Sequence, residues 1–370
     1  MDIAFVLSYV PDPRTNKRIE TVKKAGNVSV VCWNRMNSGI WVAKDLGVNY
    51  IEIKIKAEYE QPLKRIVQTL KFIGAAKKEL KLLNPKCLCV SNFDMLFLVF
   101  LYNLGRRNKA AIIYEVADLN SLIIDKHKGI KRVIQRLVLF LERKMCRGVD
   151  VLVITSEKFF DVYYKDFLEK SKVVFMPNMP ELTPFANYRR KERGDFTVGF
   201  IGYVRYENQL KMLVDAARNS NVKAFFAGTG PNSEIEEYCC GKTDVEYYGQ
   251  YNYDNEIASL YGRVDCVYAV YDADLANVRI ALPNKLYESI YCELPIIVAK
   301  GTYLAELVEG MGVGVAVSHT DEKDLVNVLN RLSKDKDYYQ SIVKNCETHK
   351  SKIDASCYNE RLLNRVMSLQ

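Results

Sequence analysis

Leu282-Pro283-Asn284-Lys285-Leu286-Tyr287-Glu288 runs into Ser289-Ile290-Tyr291-Cys292-Glu293-Leu294-Pro295 and then into the apolar Ile296-Ile297-Val298. Pro283 suits a helix start, Lys285 falls in the first turn, Glu288 follows one turn later, and the apolar run beyond reads as a buried strand. A helix N-terminus carries partial positive charge and unpaired N–H groups, so a lysine beside it marks a place for an anion, above all a phosphate.

The same alternation of helix-period segments and short β-branched runs extends outward in both directions, and it is the pattern of parallel sheets covered on both faces. In the first half, strands are expected at 3–8, 28–32, 50–55, 87–90, 111–114, 151–155 and 173–176. Helices are expected between them at 15–25, 63–83, 93–106, 130–146 and 158–165. The scheme restarts with strands at 197–201, 223–227, 245–248, 266–269 and 296–298 and a helix at 209–218. The stretch from Pro180 to Asp195 is polar, with Pro184, Arg189, Arg190, Lys191, Glu192, Arg193 and Gly194, and has linker chemistry. The chain is therefore expected to be α/β, with a doubly wound domain at 1–182, a linker at 183–195 and a second doubly wound domain at 196–350. A C-terminal helix at 351–370 is expected to pack back on the first domain.

At 370 residues, 49% hydrophobic and 26% charged, the chain has material for two cores. Met1-Asp2-Ile3-Ala4-Phe5-Val6-Leu7-Ser8 carries an early acid and runs into Pro11 and Pro13, which fits a first buried strand better than a secretion signal. The longest uncharged apolar stretch, 95–104, is about half of what a membrane-spanning helix needs. The ten cysteines form no Cys-x2-Cys pair and read as reduced thiols, as in a cytoplasmic protein. His127, His319 and His349 lie far apart in sequence, so no metal is expected.

Net charge is +8, but it belongs to one half: residues 1–182 hold 31 basic and 19 acidic residues, and residues 183–370 hold 22 and 26. The basic side chains concentrate at 63–83, with Lys64, Arg65, Lys71, Lys77, Lys78 and Lys81, and at 126–147, with Lys128, Lys131, Arg132, Arg136, Arg143, Lys144 and Arg147. Such faces suit an anionic membrane surface, or else they are solvated faces whose long stems cover apolar surface. No nucleic-acid motif accompanies the charge, and no nucleic-acid partner is expected.

Two glycine turns follow strands in the second half. Val198-Gly199-Phe200-Ile201-Gly202-Tyr203-Val204-Arg205 brings backbone close to an anion, with Arg205 adding charge. Ala227-Gly228-Thr229-Gly230-Pro231 is a second such turn. Neither is a Gly-x-Gly-x-x-Gly fingerprint, and each by itself is equally a structural turn.

Taken in this order, the pieces resemble the GT-B glycosyltransferases, specifically the retaining glycosyltransferase family 4 and its bacterial capsule and surface-polysaccharide enzymes. The resemblance covers nearly the whole chain. It is carried by Asp12-Pro13-Arg14, Tyr114-Glu115-Val116-Ala117-Asp118-Leu119, residues 141–150, Ser156-Glu157, Pro177-Asn178, Gly199-Phe200-Ile201-Gly202, Gly228-Thr229-Gly230-Pro231, Tyr248-Gly249 and, most specifically, Pro283 to Glu288.

The resemblance implies two Rossmann-like domains facing each other across a cleft, with a nucleotide-sugar donor on the second and an acceptor on the first. Glu288 would accept from the ribose hydroxyls, and Arg205 and Lys285 would neutralise the diphosphate. Gly202, Gly228, Pro283, Asn284 and Leu286 would complete the donor site. Glu288 has an alternative reading as a first-turn acid that stabilises its own helix. Many family members carry a second glutamate eight positions earlier, where this chain has Ile280; Asn277 and Arg279 stand nearby as replacements. Tyr203 and Asn208 likewise replace a family arginine and lysine.

On the acceptor side the candidates are Asp12, Arg14 and Asp118. With retention, the departing phosphate takes the acceptor proton and no strong protein base is needed. With inversion, Asp118 is the base; it is equally suited to be a helix N-cap. The expected activity is hexosyl transfer from a UDP-sugar to a lipid-linked saccharide, by a cytoplasmic protein peripheral at the inner membrane and needing no cofactor. A sugar-nucleotide epimerase of the same architecture and a non-catalytic binding module are the alternatives.

Overall fold

A computed structural model describes residues 1–35, 45–57, 62–125, 127–189, 194–231 and 234–369, the side chains of residues 62, 63, 121 and 122 aside. The chain forms two compact units, Met1–Pro177 with Ser356–Gln370, and Asn178–Ala355.

The first unit runs β1 (Asp2–Leu7), α1 (Pro13–Val22), β2 (Asn27–Asn34), β3 (Asn49–Lys54), α2 (Pro62–Leu83), β4 (Cys87–Ser91), α3 (Phe93–Asn103), β5 (Ala111–Val116), α4 (Ser121–Ile124), α5 (Gly129–Cys146), β6 (Val151–Ile154), α6 (Glu157–Val162) and β7 (Val173–Phe175). Its seven strands lie in the order β3-β2-β1-β4-β5-β6-β7, every pair parallel. Parallel strands buried on both faces need continuous apolar runs, and Ile3 to Leu7, Cys87 to Val90 and Val151 to Ile154 supply them, each residue at most 5% exposed. One face of the sheet packs with Ile19 and Val22 of α1 and with Leu362 and Val366 of the C-terminal helix. On another face α3 packs against both α2 and α5.

The second unit runs β8 (Thr197–Ile201), α7 (Glu207–Asn219), β9 (Lys223–Ala227), α8 (Glu234–Cys239), β10 (Val245–Gly249), α9 (Tyr253–Tyr261), β11 (Cys266–Ala269), α10 (Ala276–Ile280), α11 (Asn284–Tyr291), β12 (Ile296–Ala299), α12 (Tyr303–Met311), β13 (Gly314–Val317), α13 (Glu322–Lys334) and α14 (Lys336–Lys350). The sheet order is β10-β9-β8-β11-β12-β13, again all parallel. The chain returns to the first unit as α15 (Ser356–Met367), which packs against α1.

The observed strands lie within two residues of the expected ones, and β13 is an addition. Its four residues open on a glycine, too short and too small to read as a strand; Gly314 sits so close to β12 that an added Cβ would lie 1.9 Å from Ile296 O. Three helices end earlier than expected. α1 gives way to a 3-10 turn at Lys23–Ala25, α3 stops where Leu104 is extended and Gly105 takes φ +75°, and α6 stops at Val162.

The boundary between units falls at Asn178, not inside the expected linker at 183–195, of which residues 190–193 lie outside the described residues. The reason is packing. Phe185, 1% exposed in a 3-10 turn at Thr183–Phe185, sets its ring against Tyr253, Tyr261 and Tyr291, and the Tyr188 hydroxyl donates to Cys292 O at 2.8 Å.

Candidate functional site

In the second unit the chain leaves β8 toward β9 and leaves β11 toward β12, on opposite sides. The two neighbouring strands therefore bound the crevice where open α/β sheets take ligands, at their carboxyl ends. The loop after β8 is zipped onto the loop after β9: Gly202 N–H donates to Ala227 O at 2.8 Å and Val204 N–H to Thr229 O at 3.0 Å. Gly228, at φ +133°, lies so close that an added Cβ would fall 1.8 Å from Gly202 O. Backbone approach dictates Gly228, whereas Gly202, at φ +144°, makes room for the Lys285 side chain; together they leave a floor with no side chain.

Lys285 lies over that floor. Its ammonium is 4.7 Å from the centroid of the Phe200 ring and 5.8 Å from that of Tyr271, and a Cβ on Gly202 would be 2.6 Å from Nζ. Lys285 is 9% exposed, and among the described residues no carboxylate lies within ion-pair distance of it. A cation held against two rings and a bare backbone turn, at the second position of a helix, is poised for an anion.

Three residues on, Glu288 is 4% exposed. The Tyr253 hydroxyl donates to Oε1 at 2.7 Å and the Tyr261 hydroxyl to Oε2 at 2.6 Å. Burial, and then the charge of Glu288, holds both tyrosine hydroxyls well above their ordinary range, so they remain donors. Each carboxylate oxygen keeps a further lone pair. The alternative reading of Glu288 as a first-turn acid does not hold: α11 has no acid in its first turn, and the carboxylate is committed to α9.

The other expected donor residues divide. Pro283 is the extended N-cap of α11 with no side-chain cap bond, and Asn284 Oδ1 accepts from Asn178 Nδ2. Leu286 belongs to the core at 1% exposed, and its N–H closes a turn onto Pro283 O, so it offers a ligand nothing. Arg205 is exposed in the loop after β8, its guanidinium 5.0 Å from the Tyr203 ring centroid. Asn277 and Ile280 lie on α10, and Arg279 Nη1 donates to Ala273 O and Asp274 O, which ties it to its own loop.

In the first unit, two acceptor candidates have structural work. Asp12 is the N-cap of α1, accepting from Thr15 N–H at 2.7 Å, and it pairs with Arg14 at 3.5 Å. Arg14 also lies 3.8 Å from Glu115, which Arg18 holds at 3.1 Å. Asp118 stands exposed in the loop after β5, at the carboxyl end of the sheet.

Sequence reasoning missed the tyrosine clamp on Glu288. The signal was present: Tyr253 and Tyr261 are eight apart, two helical turns, and so share one face of α9. It also missed a grouping on the same sheet edge, where His319 Nε2 lies 3.7 Å from Oδ1 of both Asp272 and Asp274. Residues 47 apart could meet only through the fold.

Residues 185–349 match the family model for glycosyl transferases, group 1. The succinoglycan biosynthesis protein ExoL of Rhizobium meliloti is 21% identical, over 90% of this chain and 85% of that one. Among solved structures, sucrose-phosphate synthase from Thermosynechococcus elongatus superposes with a TM-score of 0.77 at 14% identity, covering 100% of this chain and 99% of the other. HepE of Anabaena in complex with UDP gives 0.71 at 13% identity, with full coverage of both chains. The second unit therefore carries a group 1 glycosyl transferase domain, and the chain shares the fold of these solved structures.

Proposed function

We propose that this protein transfers a hexose from a UDP-sugar to a lipid-linked saccharide in the assembly of a capsule, exopolysaccharide or O-antigen, with retention of configuration and without a metal, as a family 4 enzyme. The observation that carries the donor assignment is Lys285: a nearly buried ammonium over a side-chain-free turn, without a carboxylate partner among the described residues, one helical turn from a clamped carboxylate. The diphosphate lies over Gly202 and Gly228 against Lys285, with Arg205 closing on it from the loop. The ribose hydroxyls donate to the lone pairs of Glu288 that Tyr253 and Tyr261 leave open.

As the sugar–phosphate bond breaks, negative charge grows on the leaving diphosphate, and fixed cations there lower the barrier. The leaving phosphate oxygen takes the acceptor proton, so no strong protein base is required. Asp118, exposed in the loop after β5 at the carboxyl end of the sheet, orients the acceptor hydroxyl. The UDP bound to HepE, and the polysaccharide named for ExoL, support the donor and the pathway class. The protein works at the cytoplasmic face of a membrane, reached through the basic helices α2 and α5; no described helix is long and apolar enough to cross one.

The test is to incubate purified protein with a panel of nucleotide sugars, with and without a lipid-linked acceptor, and to follow nucleotide release and the anomer formed. UDP release that depends on acceptor is expected. Release from no donor would overturn the reading.

A further inference from the structure

The basic stretch at 126–147 has a second property that the fold exposes. Of the large apolar side chains on α5, Ile130 is 73% exposed, Val133 60%, Ile134 46%, Leu137 58% and Phe140 63%. Their spacing of three, four, seven and ten from Ile130 puts them in one stripe along the helix. Around them, Lys128, Lys131, Arg132, Arg136, Arg143 and Lys144 are exposed as well. The one acid in α5, Glu142, is fully buried, where it accepts from the hydroxyls of Tyr114, Tyr163 and Tyr164. The exposed surface of this helix is therefore apolar and cationic, with no carboxylate in it. α2, which also packs against α3, repeats the composition on a smaller scale, with Ile66, Val67 and Leu70 exposed beside Lys64 and Lys71.

We infer that α5 is an interfacial membrane helix, whose Ile130-to-Phe140 stripe enters the acyl boundary of an anionic bilayer while its lysines and arginines engage lipid phosphates. The inference rests on the proposed work at a membrane and adds the mode: insertion, not charge attraction alone. Charge complementarity selects lipid over a second copy of this chain. Two α5 surfaces brought together would oppose like charges and offer no carboxylate to relieve them, whereas an anionic headgroup layer neutralises the cations and accepts the apolar stripe in one step. Salt screens the first contribution within about 8 Å at physiological ionic strength and leaves the second in place.

The test is flotation of the full chain with vesicles of phosphatidylglycerol and phosphatidylethanolamine, and with phosphatidylcholine alone, at low and high salt. The variant combines Ile130→Ser, Leu137→Ser and Phe140→Ser, all at exposed positions; circular dichroism and nucleotide release with a water-soluble acceptor check that it remains folded. The wild type is expected to float with anionic vesicles and to retain part of its binding in high salt. The variant should bind about tenfold or more weakly and lose the salt-resistant part altogether. Equal binding by variant and wild type would overturn insertion, as would a wild type that floats with no vesicle. A wild type that forms a dimer in sedimentation, lost in the variant, would assign the stripe to a second copy instead. Flotation is independent of turnover, so failure of the transferase reading and failure of this one are separable.

Discussion

The hydroxyl of Tyr261 donates to Oε2 of Glu288 at 2.6 Å, with both residues buried. This bond fixes the carboxylate that the proposed function assigns to the ribose hydroxyls. Tyr261→Phe leaves a buried carboxylate short of a donor, at a cost of about 1 to 3 kcal/mol of stability. A denaturation midpoint unchanged from wild type would mean that the carboxylate finds another donor.

Tyr253 makes the matching bond to Oε1 nearer the start of α9. Tyr253→Phe is expected to weaken UDP binding through loss of orientation, and Glu288→Ala more strongly, by about 1.5 to 3 kcal/mol for a charged hydrogen bond. Calorimetric titration with UDP checks both. If Glu288→Ala binds UDP as well as the wild type, the ribose assignment is wrong; if only Tyr253→Phe does, the clamp is structural.

Gly202 and Gly228 separate in what they protect. Gly202→Ala puts a methyl against the Lys285 ammonium at φ +144°, so it should displace the lysine and depress turnover, with about 1 to 3 kcal/mol of backbone strain. Gly228→Ala drives its methyl into the Gly202 carbonyl, which cannot yield without moving the loop, and should abolish soluble expression. A soluble, active Gly228→Ala protein would contradict the close approach of the two loops.

Turnover is expected to survive EDTA. A loss restored by Mn²⁺ or Mg²⁺ would place a cation in the reaction, and Asp272, Asp274 and His319 are where to look for it. Asp272→Asn with Asp274→Asn would then remove the metal response.

Glu142 lies buried beneath the exposed stripe of α5, and desolvation raises its pKa despite three tyrosine donors. The raised carboxyl holds its proton in the folded state at pH values where the unfolded chain has released it. Its contribution is therefore complete at low pH and lost as pH rises above the ordinary glutamate range. Between pH 5 and pH 8, Glu142→Gln should lose less thermal stability than the wild type. An equal loss in both proteins would place the pH dependence elsewhere.

The sequence by itself determined the two parallel sheets, because strands buried on both faces must be written as unbroken apolar runs. Ile3 to Leu7, Thr197 to Ile201 and Ile296 to Val298 are legible without any neighbour. It also made Lys285 legible as a candidate cation, since a proline-led helix start and a first-turn lysine are local features. Only the tertiary structure decided what surrounds them. Gly228 matters through a contact between two loops, Gly202 through the Lys285 side chain that lies against it, and Glu288 owes its two donors to a different helix. Phe185 moved the boundary by packing under three tyrosines far along the chain, and α5 turned out to face its apolar stripe outward. Each of these depends on which surface meets which, and residue spacing along one segment carries no information about its partner.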